Sequence, residues 1–142
     1  LHVEGATGYL DTNYRGKAEK ALERLEDLDF IFLHVEAPDE AAHNGNPRDK
    51  IRAIENFDRK VVGTVLDGMR HFENYRVMVI SDHFTPIPIK THTAEPTPFA
   101  WATGPELASP SSGSPFTEKN ALERGLHYEK GHELIQDFLV KN

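Results

Sequence analysis

The chain has 142 residues, of which 38% are hydrophobic and 27% are charged, and its formal net charge is −7. This composition is ordinary for one globular domain, and an acidic chain without a Lys- or Arg-dense patch is not expected to bind nucleic acid. The absence of cysteine excludes disulfides, thiolate metal sites and cysteine catalysis. No apolar run approaches the roughly 18 residues of a membrane helix. We therefore expect a cytoplasmic protein without membrane contact.

The amino-terminal part of the chain predicts a helix followed by a strand. Ala and Leu residues recur at spacings of three and four within residues 12–26, which is typical of an amphipathic helix, with Asp11 or Thr12 as its N-cap. The nearly continuous apolar run from Phe30 to Val35 is typical of a strand that is buried on both faces.

A polar turn region and a long helix are predicted next. Residues 37–46 combine polar side chains with Gly and Asn, which favours a turn. Asn46 as N-cap and Pro47 at the first helical position mark the start of a helix that we expect to extend through Phe72. Its predicted apolar stripe consists of Ile51, Ile54, Phe57, Val61, Val65 and Met69.

The carboxyl-terminal half predicts shorter elements. We expect a second buried strand at Arg76–Ile80 and a third short strand at Phe99–Ala102. Four prolines within residues 84–98 exclude an interior strand or helix in that segment. The composition of residues 104–115, GPELASPSSGSP, predicts a flexible surface loop.

The order of the elements predicts the fold class. Two further helices are expected, one between Thr117 and Gly125 and one over residues 132–140. Helix, strand, long helix and strand form a βαβ pattern, so we expect an α/β fold with a mostly parallel sheet between helices, in three α/β/α layers. Because the visible strands are few for such a sheet, we expect the sheet to be incomplete in this chain.

Carboxylate and imidazole side chains follow both predicted inner strands. Asp39 and His43 come after the first strand, Asp82 and His83 come directly after the second, and His92 lies in the Pro-rich segment. Ligands of open α/β sheets gather beyond the carboxyl ends of the strands, where these residues would converge. Oxygen and imidazole donors without sulfur are typical of Mn, Zn or Mg sites, and two such ions about 3.5–4 Å apart can clamp a phosphoryl group.

Each of these patterns, taken alone, also fits a role without metal. The Asp39-x-x-x-His43 spacing occurs in solvated polar turns, Asp82 could simply form a turn, and His92 could be an exposed loop histidine. His34 lies within the first predicted strand, which favours a hydrogen-bonded core histidine or one that supports a metal ligand from behind. The convergence of separate segments on one sheet edge favours the metal site.

The sequence offers no evident nucleophile for phosphoryl transfer. Ser81 directly precedes Asp82, but as a strand residue it is expected to face the core. We assign no catalytic role to the serines of the predicted surface loop, which are Ser109, Ser111, Ser112 and Ser114. The catalytic residue therefore stays unknown at this stage.

Three segments of the chain resemble one enzyme family. They are VEGATGYLDTNYRGKAEKAL, DFIFLHVEAPDEAAHNGNPRDKIRAIENFD and VISDHFTPIPIKTHTAEPTPF, and together they are similar to the archaeal-type 2,3-bisphosphoglycerate-independent phosphoglycerate mutases of the alkaline phosphatase superfamily. The resemblance runs from Val3 to Phe99 and more weakly to the final helix. It implies an alkaline-phosphatase-like fold and a glycolytic isomerase that interconverts 3- and 2-phosphoglycerate through a phosphoserine.

The resemblance also implies roles for the five candidate residues. Asp39, His43 and His92 would ligate one divalent ion (Mn, Zn, Mg or Co). Asp82 and His83 would ligate a second ion, beside an aspartate and the nucleophilic serine from the family's amino-terminal part. Residues 1–142 would be the carboxyl-terminal part of the metal-binding domain, without that nucleophile segment and the inserted substrate domain. We therefore expect this chain alone to be inactive. We also expect unpaired strand edges to favour a homo-oligomer.

Two other functions fit parts of the same pattern. Another phosphohydrolase or phosphomutase of the superfamily would share the metal ligands, although the HVEAPDEAAH segment favours the mutase. A non-catalytic metal-binding domain active in protein association would explain the absent nucleophile. The presence of five candidate ligands argues against such a vestigial site.

Overall fold

The computed structural model describes residues 1–109 and 113–140. The chain divides into two compact units, and each is described here by itself. The first unit consists of Leu1–His71 and Phe84–Ala94, and the second unit consists of Phe72–His83 and Glu95–Asn142.

The first unit begins with helix α1 (Tyr14–Leu25), which confirms the predicted first helix. Its N-cap is Asn13, whose side-chain oxygen accepts a hydrogen bond from the Gly16 amide at 2.9 Å, so the prediction of Asp11 or Thr12 as cap is wrong. Those two residues are otherwise engaged, because the hydroxyl of Thr7 donates to Asp11 and the amide of Thr7 donates to the Thr12 hydroxyl.

Helix α2 (Ala37–His43) occupies most of the region predicted to be a turn. Three alanines of this segment, Ala37, Ala41 and Ala42, are buried, and alanine has the highest helix propensity of any residue. The polar residues that suggested a turn lie on the less buried side of this short helix. The prediction of a turn over all of residues 37–46 is therefore wrong for its first seven positions.

The predicted long helix is present but changes its winding midway. It consists of α3 (Pro47–Phe57), a π-helical turn (Asp58–Val62) and α4 (Gly63–Met69). As predicted, Asn46 is the N-cap, and its side-chain oxygen accepts from the Asp49 amide at 3.2 Å.

The core-facing residues of this helix recur at every fourth position, at Ala53, Phe57, Val61, Val65 and Met69. An α-helix of about 3.6 residues per turn would rotate such a stripe away from the core, and the wider π turn compensates for this rotation. Two members of the predicted stripe, Ile51 and Ile54, are instead 57% and 49% exposed.

Residues 30–35 lie in neither a helix nor a strand, and they pair with no strand among the described residues. Leu33 and Val35 pack against the core of the first unit, whereas Phe30 and Phe32 are exposed, Phe32 by 73%. This alternation of period two is that of an extended segment packed on one face. The prediction of a strand buried on both faces is therefore wrong for the described structure.

The second unit contains a two-stranded sheet of β1 (Arg76–Ile80) and β2 (Phe99–Thr103), which confirms both predicted strands. The strands pair antiparallel, with Arg76 opposite Thr103 and Ile80 opposite Phe99. This pair differs from the parallel pairing expected of most of the sheet. The connection between β1 and β2 contains no crossover helix, which is the usual link between parallel strands.

Three helices complete the second unit, namely α5 (Gly104–Ala108), α6 (Glu118–Arg124) and α7 (Gly131–Val140). The prediction of a loop over residues 104–115 is wrong at its start, where α5 forms. Thr103 and Glu106 stabilise this helix with a reciprocal capping box around its first turn. Residues 110–112 of that predicted loop lie outside the described residues. The other two helices were predicted, including the N-cap Thr117 and the end of α6 at Gly125. Gly125 has a left-handed backbone, with φ of 68°.

Within the described ranges, no helix combines the length and the apolar character needed to cross a bilayer.

Candidate metal centre

Helix α2 places Asp39 and His43 one turn apart on the same side. The carboxylate oxygen Oδ2 of Asp39 lies 3.2 Å from Nε2 of His43, and both side chains are partly accessible to solvent. The i, i+4 spacing produces this contact because residues four apart face the same way on a helix. Helix α2 therefore places both candidate ligands in reach of one ion.

The Pro-rich segment brings His92 to the same place in the first unit. Nε2 of His92 lies 3.1 Å from Nε2 of His43, although the two residues are 49 positions apart, and 3.5 Å from Oδ1 of Asp39. An isolated antiparallel bridge between Phe84 and Thr93 closes the segment just outside His92. The segment thus contains neither a helix nor a regular strand, as its prolines predicted.

The three side chains have the separations expected of ligands around one ion. Metal–nitrogen and metal–oxygen bonds of about 2.0–2.2 Å in a tetrahedral site put neighbouring ligand atoms on the order of 3.3 Å apart. Nε2 of His43 lies 3.1 Å from Nε2 of His92 and 3.2 Å from Oδ2 of Asp39, and Nε2 of His92 lies 3.5 Å from the other oxygen of that carboxylate, Oδ1. A carboxylate and two imidazoles that converge in this way fit a divalent ion and leave room for a further ligand.

Hydrogen bonds with neighbouring groups orient two of these three side chains. The hydroxyl of Thr85 donates a short hydrogen bond to Oδ1 of Asp39, and the backbone oxygen of Lys90 lies 2.8 Å from Nδ1 of His43. Thr85 is itself buried, and its backbone oxygen accepts from Nζ of Lys50 at 2.7 Å. Such supporting contacts fix ligand orientation in metal sites.

Thr85 and Lys90 were missed by sequence reasoning. Both lie in the segment between His83 and His92, so proximity to candidate ligands was a signal that could have pointed to Thr85. No sequence signal identifies Lys90, because it acts through its backbone oxygen, which every residue type carries.

Asp82 and His83 follow β1 in the second unit, as predicted. Nε2 of His83 lies 3.3 Å from Oδ2 of Asp82, and the amide of His83 donates to Oδ1 of the same carboxylate at 3.0 Å. The side chain of Asp82 is 67% exposed. Ser81, the residue before the pair, extends the strand pairing through its amide, which donates to the Pro98 oxygen at 3.3 Å.

His34 differs from its predicted role. It is exposed and stacks on Phe32 with ring centroids 6.3 Å apart, while its backbone oxygen accepts from Nζ of Lys17 at 3.1 Å. The prediction of a core histidine is wrong because residue 34 falls on the outward phase of the alternating segment, opposite to Leu33 and Val35.

Comparison with known protein families gives a match over nearly the whole chain. The model of the Metalloenzyme superfamily matches residues 1–135. This family match is independent of the distances within the Asp39, His43 and His92 cluster.

Several curated proteins are similar to the chain over most of its length. A protein of Geobacter sulfurreducens named "Probable 2,3-bisphosphoglycerate-independent phosphoglycerate mutase" is 48% identical over 98% of the chain, and a 2,3-bisphosphoglycerate-independent phosphoglycerate mutase of Methanothrix thermoacetophila is 47% identical over 96%. The matched regions make up 35% and 34% of those two proteins, so the chain spans about a third of their length.

A solved structure is also similar. A protein from Pyrococcus horikoshii, 39% identical in sequence, superimposes with a TM-score of 0.68. The similarity covers 73% of this chain and 31% of that protein. The sequence and structure comparisons thus agree that the chain corresponds to roughly a third of longer relatives.

Proposed function

The chain belongs to the Metalloenzyme superfamily, and from this premise we propose that it carries part of the metal centre of a 2,3-bisphosphoglycerate-independent phosphoglycerate mutase. The curated relatives carry that name and are 47–48% identical to the chain. The observation that supports the proposal most strongly is the convergence of Asp39, His43 and His92, with ligand-atom separations of 3.1–3.5 Å.

In this proposal, Asp39, His43 and His92 hold one divalent ion, which could be Mn, Zn, Mg or Co. When bound, such an ion supplies a Lewis acid that offsets the charge on a transferring phosphoryl group. The residues of the chain would hold that ion in place: the carboxylate of Asp39 contributes negative charge, and the two imidazoles present nitrogen lone pairs. The carboxylate also keeps the net charge of the site lower than that of an ion held by imidazoles alone.

Asp82 and His83 are proposed ligands of a second ion. The mutual contact of the two side chains at 3.3 Å is compatible with that role. Two residues are too few to complete a site, because zinc sites use at least three protein ligands. We propose that the remaining ligand, an aspartate, comes from a part of the parent protein beyond residues 1–142.

The proposed reaction needs a serine nucleophile that we do not place in this chain. We propose that the parent protein supplies this serine, together with a domain that binds phosphoglycerate, and that residues 1–142 form the carboxyl-terminal part of its metal-binding domain. In the parent protein, the exposed extended segment 30–35 would gain strand partners in a mostly parallel, three-layer sheet.

Calorimetric titration of the 142-residue chain with Mn²⁺ or Zn²⁺ tests the site. We expect weak binding that is lost in His43→Ala and retained in a matched control, His71→Ala, whose side chain is exposed. Absence of binding by the unsubstituted chain, or an equal effect of the two substitutions, would contradict the proposed metal site.

Activity measurements test the rest of the proposal. The full-length parent should interconvert 3- and 2-phosphoglycerate in a metal-dependent manner, and His43→Ala in that protein should abolish turnover. The 142-residue chain alone should show no turnover with any divalent ion. Sustained turnover by the purified chain would mean that a nucleophile within residues 1–142 has been overlooked.

A further inference from the structure

Lys90 has an unusual backbone conformation next to the candidate metal ligands. Its φ is 53°, and among the described residues it is the one non-glycine residue with positive φ. Bulky L-residues adopt this left-handed region uncommonly, because Cβ crowds the backbone there. Such an outlier persists only where surrounding contacts hold it, and it is a reasonable starting point for a functional hypothesis.

The left-handed residue ends a single tight turn. The amides of Ile89 and Lys90 both donate to the backbone oxygen of Pro86, at 3.2 and 3.0 Å. A left-handed residue at the end of such a turn redirects the chain, as it does at the ends of helices. At this position the backbone oxygen of Lys90 lies 2.8 Å from Nδ1 of His43.

This contact places a proton on Nδ1 of His43. A carbonyl oxygen can only accept a hydrogen bond, so Nδ1 of His43 must be the donor. In a neutral imidazole the proton on Nδ1 leaves the lone pair on Nε2. Nε2 is the nitrogen that lies 3.2 Å from Asp39 and 3.1 Å from His92, at the centre of the candidate ligand cluster.

We propose that Lys90 is a positioning residue, whose left-handed backbone uses its carbonyl to hold the Nδ1–H group of His43, so that Nε2 faces Asp39 and His92 and can bind a metal ion. This inference rests on the proposed metal-binding function of His43. The same short segment then contacts both nitrogens of one ring, through the Lys90 oxygen at Nδ1 and through the His92 ring at Nε2.

The side chain of Lys90 has a separate location, which allows the backbone role to be isolated. It extends over Gly45, where an added Cβ would lie 2.8 Å from Nζ. Two substitutions remove this side chain but differ in backbone preference. Lys90→Gly favours positive φ, whereas Lys90→Val disfavours it because of the branched Cβ.

The first measurement is the ¹⁵N spectrum of the imidazoles in the metal-free chain, which reports directly whether Nδ1 of His43 carries a proton. We expect a protonated Nδ1 in the unsubstituted protein and in Lys90→Gly, and a partly unprotonated Nδ1 in Lys90→Val. A general loss of packing would not change one nitrogen of one histidine selectively. An unprotonated Nδ1 in the unsubstituted protein would overturn the proposal, even if Lys90→Val could not be folded.

The second measurement is the affinity of the same three proteins for Mn²⁺ or Zn²⁺. Loss of a supporting partner of a metal ligand typically weakens binding by about 10- to 100-fold, which we expect for Lys90→Val, with Lys90→Gly close to the unsubstituted chain. Equal affinities of the Gly and Val variants would overturn the proposal and leave the metal site intact. A protonated Nδ1 without any metal binding would instead contradict the proposed function and leave the role of Lys90 standing.

Discussion

The Asp39, His43 and His92 cluster of the first unit and the Asp82–His83 pair of the second unit offer the same donor types but are held differently. The cluster joins a helix to a segment 49 positions away, and it is supported by the Thr85 hydroxyl, which donates to Asp39, and by the Lys90 backbone oxygen, which accepts from His43. The pair consists of adjacent residues whose contacts include a hydrogen bond from the His83 amide to the neighbouring carboxylate.

The difference shows how much of a ligand set the local sequence can build. An adjacent pair at a strand end forms through local geometry, whereas three convergent ligands require tertiary contacts that fix each rotamer. Ligands held in advance lose less conformational freedom on binding, so they bind more tightly. We therefore expect the cluster to bind an ion within this chain and the pair to need further ligands.

The largest expected effect comes from removing one carboxylate in each unit. Asp39→Ala should weaken the binding of the first Mn²⁺ or Zn²⁺ by more than about 100-fold, because loss of a ligand exceeds the effect of losing a supporting partner. Asp82→Ala, the matched control, should change it by less than about threefold, within the range of ordinary surface substitutions. Calorimetric titration of both variants gives the comparison, and similar losses in the two would remove the distinction between the sites.

A smaller effect is expected from the group that orients Asp39. Thr85→Val has nearly the same shape but cannot donate to the carboxylate, so metal affinity should fall by about 10-fold. The loss of this buried hydrogen bond should also lower the free energy of unfolding by about 1–3 kcal/mol. Thr91→Val, at an exposed position of the same segment, is the control. Unchanged affinity in Thr85→Val would show that Asp39 is oriented without Thr85.

Alkaline pH should weaken the first unit through Tyr14. Burial raises the pKa of the Tyr14 phenol above its usual value of 10.0, against the opposing effect of Asn56, and the charge of Asp11 raises it further. A raised pKa means that the folded state holds the proton more tightly. The resulting stability is present below pH 10.0 and is lost as the pH rises through the folded-state pKa. Unfolding measurements between about pH 9 and 11 should show this loss in the unsubstituted chain but not in Tyr14→Phe, and equal slopes would contradict it.

The smallest effect concerns acid pH and the second unit. Hydrogen bonds from the backbone and the hydroxyl of Thr103 lower the pKa of Glu106 below its usual value of 4.5. The stability from this cap is present above pH 4.5 and is lost as the pH falls through the folded-state pKa. The protection factors of the α5 amides, which correct for the intrinsic pH dependence of exchange, should therefore fall at acid pH. Glu106→Gln should remove this dependence, because its side chain does not titrate. An α5 whose protection keeps the same acid dependence in Glu106→Gln would contradict the assignment.

Sequence reasoning located the elements that depend on local signals. The helix ends at Asn46, Thr117 and Gly125 and the strands after residues 75 and 98 were predicted because caps and short apolar runs are local. The resemblance to phosphoglycerate mutases, confirmed by the names of the relatives, came from motifs of the same kind. The Asp39–His43 spacing also required only the helical repeat.

The features that were missed depend on tertiary context. The strand direction of β2 and the exposure of residues 30–35 are decided by which segments are available for pairing, and a single strand's composition does not encode its partner. The π turn that carries Val61 reflects packing over the whole α3–α4 helix. The left-handed backbone of Lys90 depends on two contacts. Its amide donates to the backbone oxygen of Pro86, and its own oxygen accepts from His43, which is 47 positions away in the chain.

The most direct test of the central claim is a titration of the ¹⁵N-labelled chain with substoichiometric Mn²⁺, whose unpaired electrons broaden the signals of nearby nuclei. The account predicts that the ring signals of His43 and His92 broaden first, while those of His2, His71 and His127 stay sharp. Equal broadening of all histidines, or first broadening away from His43 and His92, would contradict a metal site at this cluster.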